Sequence, residues 1–169
     1  MSDNSPQEVV PIEPRPTWVP VNPFPARVRQ GSFVSGSDAA ERTRVAYYRE
    51  PDSDHLFACV RFGPASEGPP DAVHGGAIAA VLDEAMGGSC WMNGHAVVGA
   101  RITINYVHMV PLGFEGHVEA WITHIERRKC FITSRLMDSE GKIYAEGEAL
   151  FIKLRHHPLN ADQAEPAGA

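Results

Sequence analysis

Between residues 44 and 155 short apolar stretches alternate with polar punctuation, and one longer apolar stretch sits among them. Residues 44–50 and 55–62 read as strands, and Pro51, Asp52, Ser53 and Asp54 between them are residue types that favour a turn. Residues 63–73, with Pro64, Gly68, Pro69 and Pro70, form a connecting loop. The longer stretch predicts a helix over 74–92, closed near Asn93 and Gly94. With residues spaced about 100° apart around its axis, Ile78, Val81, Leu82, Ala85 and Met86 make one stripe that should face a sheet. Four further strands are predicted at 96–110, 115–127, 130–138 and 143–155, joined by short turns.

Two strands, one helix and four strands give an α+β order. An antiparallel sheet curled around one long central helix buries the apolar stripe with so few other elements. An open sheet with the helix on one face is the alternative. Residues 1–36 contain Pro6, Pro11, Pro14, Pro16, Pro20, Pro23 and Pro25, which forbid a regular helix or central strand and predict an extended arm. Trp18, Val19, Val21 and Phe24 give that arm enough apolar surface to pack over a neighbouring face. Residues 156–169 read as a frayed tail, which leaves 37–155 as the folded domain.

Composition narrows the picture. A length of 169 residues suits one domain with a core. The net charge of −6 argues against general affinity for nucleic acid, which needs a basic face. The prolines of the first 36 residues also rule out a helix-turn-helix arm. Cys59, Cys90 and Cys130 are widely spaced, with no Cys-x-x-Cys pair for metal or redox work, and point to a reducing cytoplasm. The amino terminus lacks a secretion pattern, and no run approaches the roughly 20 apolar residues of a membrane span.

The chemistry concentrates at the helix. His74-Gly75-Gly76 stands at its head, where backbone N–H groups lack intrahelical partners and glycines leave them uncovered. Such groups can polarise an oxygen that is gaining negative charge. Asp83 and Glu84 follow two turns later, and a carboxylate there could activate water. Neither part requires a metal or a covalent cofactor. Both acids lie roughly 130° from the centre of the apolar stripe, on opposite flanks, so periodicity leaves open which one is functional.

His74-Gly75-Gly76, an acid nine positions after the histidine and the run ARITINYVHMVPLG over 100–113 together resemble the hotdog-fold acyl-CoA thioesterases, in particular their PaaI-like branch with an HGG signature. The likeness covers about residues 40–153. It implies the hotdog fold and hydrolysis of an acyl-CoA to free acid and coenzyme A, with coenzyme A entering only as part of the substrate. A backbone N–H of Gly75 or Gly76 is then the thioester's oxyanion donor, Asp83 the general base supplied by the opposing subunit, and His74 a supporting residue. The site would form only in a homodimer, or a dimer of dimers.

One position departs from the branch. Where many members carry Thr or Ser sixteen residues after the helix acid, this chain has Gly99. That bears on catalytic efficiency and on substrate class. Thr103, four positions on along the same strand, should point to the same face but lies about 13 Å farther by strand rise, too far for simple replacement; Ser89, on the helix, is another candidate. For the phosphates of coenzyme A the resemblance points to Arg127, Arg128 and Lys129 at a hairpin, joined by Asn105 on a neighbouring strand. The basic residue expected after the Asn-Tyr pair is replaced by Val107-His108. An acyl pocket is expected among Met86, Trp91, Met92 and residues 57–62. Two other readings remain: a non-catalytic acyl-CoA-binding hotdog protein, which Gly99 keeps open, and a hotdog hydratase or dehydratase, for which no Asp-then-His signature is present.

Overall fold

The computed structural model of the chain describes residues 13–25, 32–35 and 41–157. Seven strands make one antiparallel sheet: β1 (Val19–Pro20), β2 (Thr43–Arg49), β3 (Leu56–Phe62), β4 (Val97–Tyr106), β5 (Glu115–Glu126), β6 (Lys129–Met137) and β7 (Ile143–Lys153). Their order across the sheet is β1-β2-β3-β5-β6-β7-β4. The helix α1 (Gly75–Met92) lies against β3, β4, β5, β6 and β7, so the curled sheet wraps it in the hotdog arrangement. Each predicted element is present, with ends moved by at most four residues.

Burial follows the pattern. Ile78, Val81, Leu82, Ala85 and Met86 are all sealed against the sheet. Facing them, Cys130, Ile132, Ser134 and Leu136 alternate inward along β6 and Ala145, Gly147, Ala149 and Phe151 along β7, as a pleat with one covered face requires. Ser89, by contrast, is fully buried in the core, and Met86 is a core residue rather than a pocket wall. Residues 57–62 belong to β3, the strand buried on both faces.

The arm explains that double burial. Pro20 pairs with β2 at the sheet's edge, where a missing N–H is tolerated. Trp18 is inserted beneath, stacked on Phe57 with ring centroids 4.7 Å apart and edge-on to His117 at 5.1 Å. Its indole N–H donates to Glu50 Oε1 at 3.2 Å. With Cys59 these residues form a second apolar cluster on the outer face of the sheet. Farther along, Val21 and Phe24 pack on the main core and Val34 is buried within it. The predicted boundary at residue 36 and nearly all of the predicted tail lie outside the described residues.

The strand β4 forms the other edge. Its pairing with β7 shifts register between Gly99 and Arg101, which leaves Ala100 as a bulge. Side chains after the bulge exchange faces. Gly99 is opposite inward-facing Phe151, whereas Thr103 is opposite outward-facing Glu148. Thr103 therefore does not share Gly99's face, and the expectation of simple alternation along this strand fails at that one extra residue.

Candidate active site

His74 is the N-cap of α1, with extended backbone, and its Nδ1 accepts a hydrogen bond from the Gly76 N–H at 2.8 Å. That geometry puts the ring's own hydrogen on Nε2 and makes His74 a cap rather than a base at Nδ1. The Gly75 N–H, at the first helical position, has no acceptor among the described residues. Glycine matters here because a Cβ at Gly76 would come within 2.9 Å of His74 Nδ1. Tyr106, on the inner face of β4, closes the turn from above: its hydroxyl donates to Gly75 O at 2.8 Å. The sequence flagged Tyr106 only as part of a motif; its contact with the turn joins positions 31 residues apart.

Eight residues separate Gly75 from Asp83, which is about 12 Å along a helix axis. No single carbonyl can touch both within one chain. Asp83 instead faces Gly99, whose Cβ, were there one, would sit 3.7 Å from Asp83 Oδ1. No donor among the described residues bonds the Asp83 carboxylate. Its pKa is raised, first by burial and then by the neighbouring Glu84 charge.

Glu84 has a different environment. Tyr47 O–H donates to its Oε1 at 2.8 Å and Ser32 O–H to its Oε2. Both oxygens are engaged in holding the arm and β2 against the helix. The two acids that periodicity could not separate are thus distinguished by hydroxyls from distant parts of the chain.

Two cavities adjoin the helix. One, of about 450 Å³, is lined by His74, Gly76, Ala77, Arg42 and Glu67 among others. The other, of about 390 Å³, is lined by Asp83, Glu84, Gly87, Trp91, Val98, Gly99 and Phe151, with Phe24 and Phe33 from the arm. Trp91 is thus a wall as expected, and Ser89 is not among the lining residues.

The basic hairpin divides in its contacts. Arg127 occupies the turn between β5 and β6 with φ 53°, a left-handed conformation. Arg128 turns back and donates through Nε and a terminal nitrogen to Lys153 O, at 3.1 and 2.8 Å. Its guanidinium ties the hairpin to β7. Lys129 lies 4.0 Å from Glu126 in an exposed ion pair, a weak contact. Asn105 does not join them in one chain. Lys129 is level with Ile152 on β7 whereas Asn105 is level with Glu146, about 20 Å away by strand rise. Its side chain also faces outward with Glu146.

Residues 71–145 match the thioesterase superfamily. Among its relatives, acyl-coenzyme A thioesterase THEM4 of Bos taurus is 33% identical over 123 residues, covering 72% of this chain and 51% of that protein. THEM4 of Xenopus laevis is 36% identical over 94 residues, covering 54% of this chain and 42% of its own length. The chain thus spans about half the length of the curated relatives it matches. Its fold is shared with a Streptococcus pneumoniae thioesterase protein solved with coenzyme A (TM-score 0.61, 17% identity, 66% of this chain and 86% of that one). It is shared too with Escherichia coli PaaI from the phenylacetic acid degradation operon (TM-score 0.59, 15% identity, 65% and 79%). Among the described residues no helix is long and apolar enough to cross a membrane.

Proposed function

We propose that the protein is an acyl-CoA thioesterase working as a homodimer or dimer of dimers in the cytoplasm, each site taking its oxyanion donor from one chain and its base from the other. The observation that carries this reading is Asp83: an accessible carboxylate with no protein donor among the described residues, its pKa raised, beside an apolar cavity. Such a group is available to water, as Glu84 is not.

The reaction follows from the chemistry of the groups. Asp83 takes a proton from water, and the hydroxide oxygen attacks the thioester carbon. The carbonyl oxygen becomes an oxyanion held by the Gly75 N–H at the positive end of α1. The C–S bond then breaks, the electron pair leaves with sulfur, and the proton on Asp83 passes to the thiolate of coenzyme A. His74 keeps the Gly-Gly turn in shape through its bond from the Gly76 N–H, and Tyr106 holds it from the other side. Arg127 and Lys129 are the hairpin cations available to the phosphates of coenzyme A, Arg128 being spent on Lys153 O.

A thiol-release assay over short, long and aromatic acyl-CoA esters tests the proposal. Asp83→Asn should retain the fold and lose at least about a hundredfold in kcat, the lower range for loss of general-base catalysis. Undiminished turnover in that variant would remove Asp83 from the mechanism.

A second reading, a non-catalytic acyl-CoA-binding protein, is favoured by one observation: at Gly99 no hydroxyl stands beside Asp83 to help hold the water. Tight binding of acyl-CoA without thiol release by the wild-type protein would select it.

A further inference from the structure

The two cavities share Phe33, Val34 and Ala80. Val34 is buried in the core and Ala80 belongs to the helix, but Phe33 is 66% exposed. A large ring left in water is unfavourable relative to burial, yet the chain fixes this one firmly. Ser32 O–H donates to Glu84, and Ser32 Oγ accepts from the N–H groups of Val34 and Ser35 at 3.1 and 3.0 Å. Thr43 O–H donates to Val34 O at 2.8 Å. The Arg42 guanidinium covers one face of the ring, 4.7 Å from its centre. Phe33 is therefore held over the helix between the His74 turn and Asp83.

The cavity on the Asp83 side has the character of an apolar acyl site. Phe24, Phe33, Trp91, Val98 and Phe151 supply its walls. Among the described residues its charged lining residues are Asp83 and Glu84, both acids, which would repel a carboxylated acyl group. We infer that Phe33 is a specificity-determining residue: its exposed ring forms one wall of an acyl pocket for uncharged, apolar acyl chains and sets the chain length that fits. The inference rests on the thioesterase reading for the identity of the ligand, but not on hydrolysis itself.

Non-hydrolysable thioether analogues, hexyl-CoA and dodecyl-CoA, separate the two questions when titrated by calorimetry against wild type, Phe33→Ala and Phe33→Trp. Because Phe33 is exposed, neither variant removes a core contact. Shortening the wall should raise the dodecyl-to-hexyl affinity ratio about tenfold, equivalent to 1.4 kcal/mol, and Phe33→Trp should move the ratio the other way. A carboxylated analogue, such as carboxypropyl-CoA, should bind more weakly than hexyl-CoA to all three. An unchanged chain-length ratio in both variants, or no binding of either analogue by wild type, overturns the inference. Altered ratios together with an absence of thiol release from matching thioesters would uphold Phe33 and overturn hydrolysis.

Discussion

Asp83 and Glu84 are adjacent and chemically alike, and their different surroundings carry the functional argument. Glu84 accepts hydroxyl hydrogen bonds at both oxygens; Asp83 accepts none from the described residues. As a base Asp83 works only when ionised, and burial together with the Glu84 charge disfavours that form. Activity should therefore rise with pH through an acid limb lying above the ordinary carboxylate value of about 3.9. Glu84→Gln removes the neighbouring charge and should move the limb of kcat/KM to lower pH. A limb that stays in place or moves upward would contradict the assignment. The sequence could narrow the choice to two acids but not go further, because what separates them comes from Tyr47 and Ser32, 37 and 52 positions away. Gly99 is the reverse case: its spacing from Asp83 was readable, and its proximity to Oδ1 is what folding adds.

At the scale of elements, alternating burial made strands and helix legible because each buries one face. The features that were not legible break that regularity. A single extra residue at Ala100 reverses the faces of β4 and removes Thr103 from the site. The arm could be read as extended and able to pack, but not as the cover over β3, since Trp18 meets residues 39 and 99 positions away. That cover encloses His117, whose Nε2 is buried without a partner among the described residues. Its pKa is lowered chiefly by burial, against a hydrogen bond to the Glu13 backbone and with a smaller push from Arg15. The folded chain thus binds this proton less readily than the unfolded chain, so His117's contribution to stability is present above about pH 6.5 and is lost as pH falls toward the lowered value. His117→Phe keeps an aromatic edge toward Trp18 without the titration. Denaturant unfolding at pH 7 and pH 5.5 should show a smaller loss of stability on acidification in the variant; an equal loss would assign the acid sensitivity elsewhere.

In the whole molecule the two groups assigned to the reaction stand apart. Along α1 the turn that offers the Gly75 N–H and the carboxylate of Asp83 are too far apart to meet on one thioester. β4 is an edge strand with no partner on its outer side among the described residues and with Val98, Ile102 and Tyr106 exposed, a partly apolar edge of the kind that proteins cover by association. In the proposed dimer the turn of each copy meets the acid of the other. The resemblance pointed to a dimer; if the Gly75 N–H and Asp83 serve one thioester, their separation along α1 requires two chains.

Mixing two inactive variants tests that claim directly. Asp83→Asn removes the base, and Gly75→Pro removes the oxyanion donor at a first helical position, where the backbone favours proline and its Cβ presses on the Tyr106 ring at 3.2 Å. Each alone should release no thiol from an acyl-CoA that wild type hydrolyses. Unfolded and refolded together in equal amounts, they should recover about a quarter of wild-type activity, because half of the dimers are mixed and each mixed dimer regains one intact site. A mixture as inactive as its components, in the presence of mixed dimers, would place the base and the donor in one chain and contradict the account.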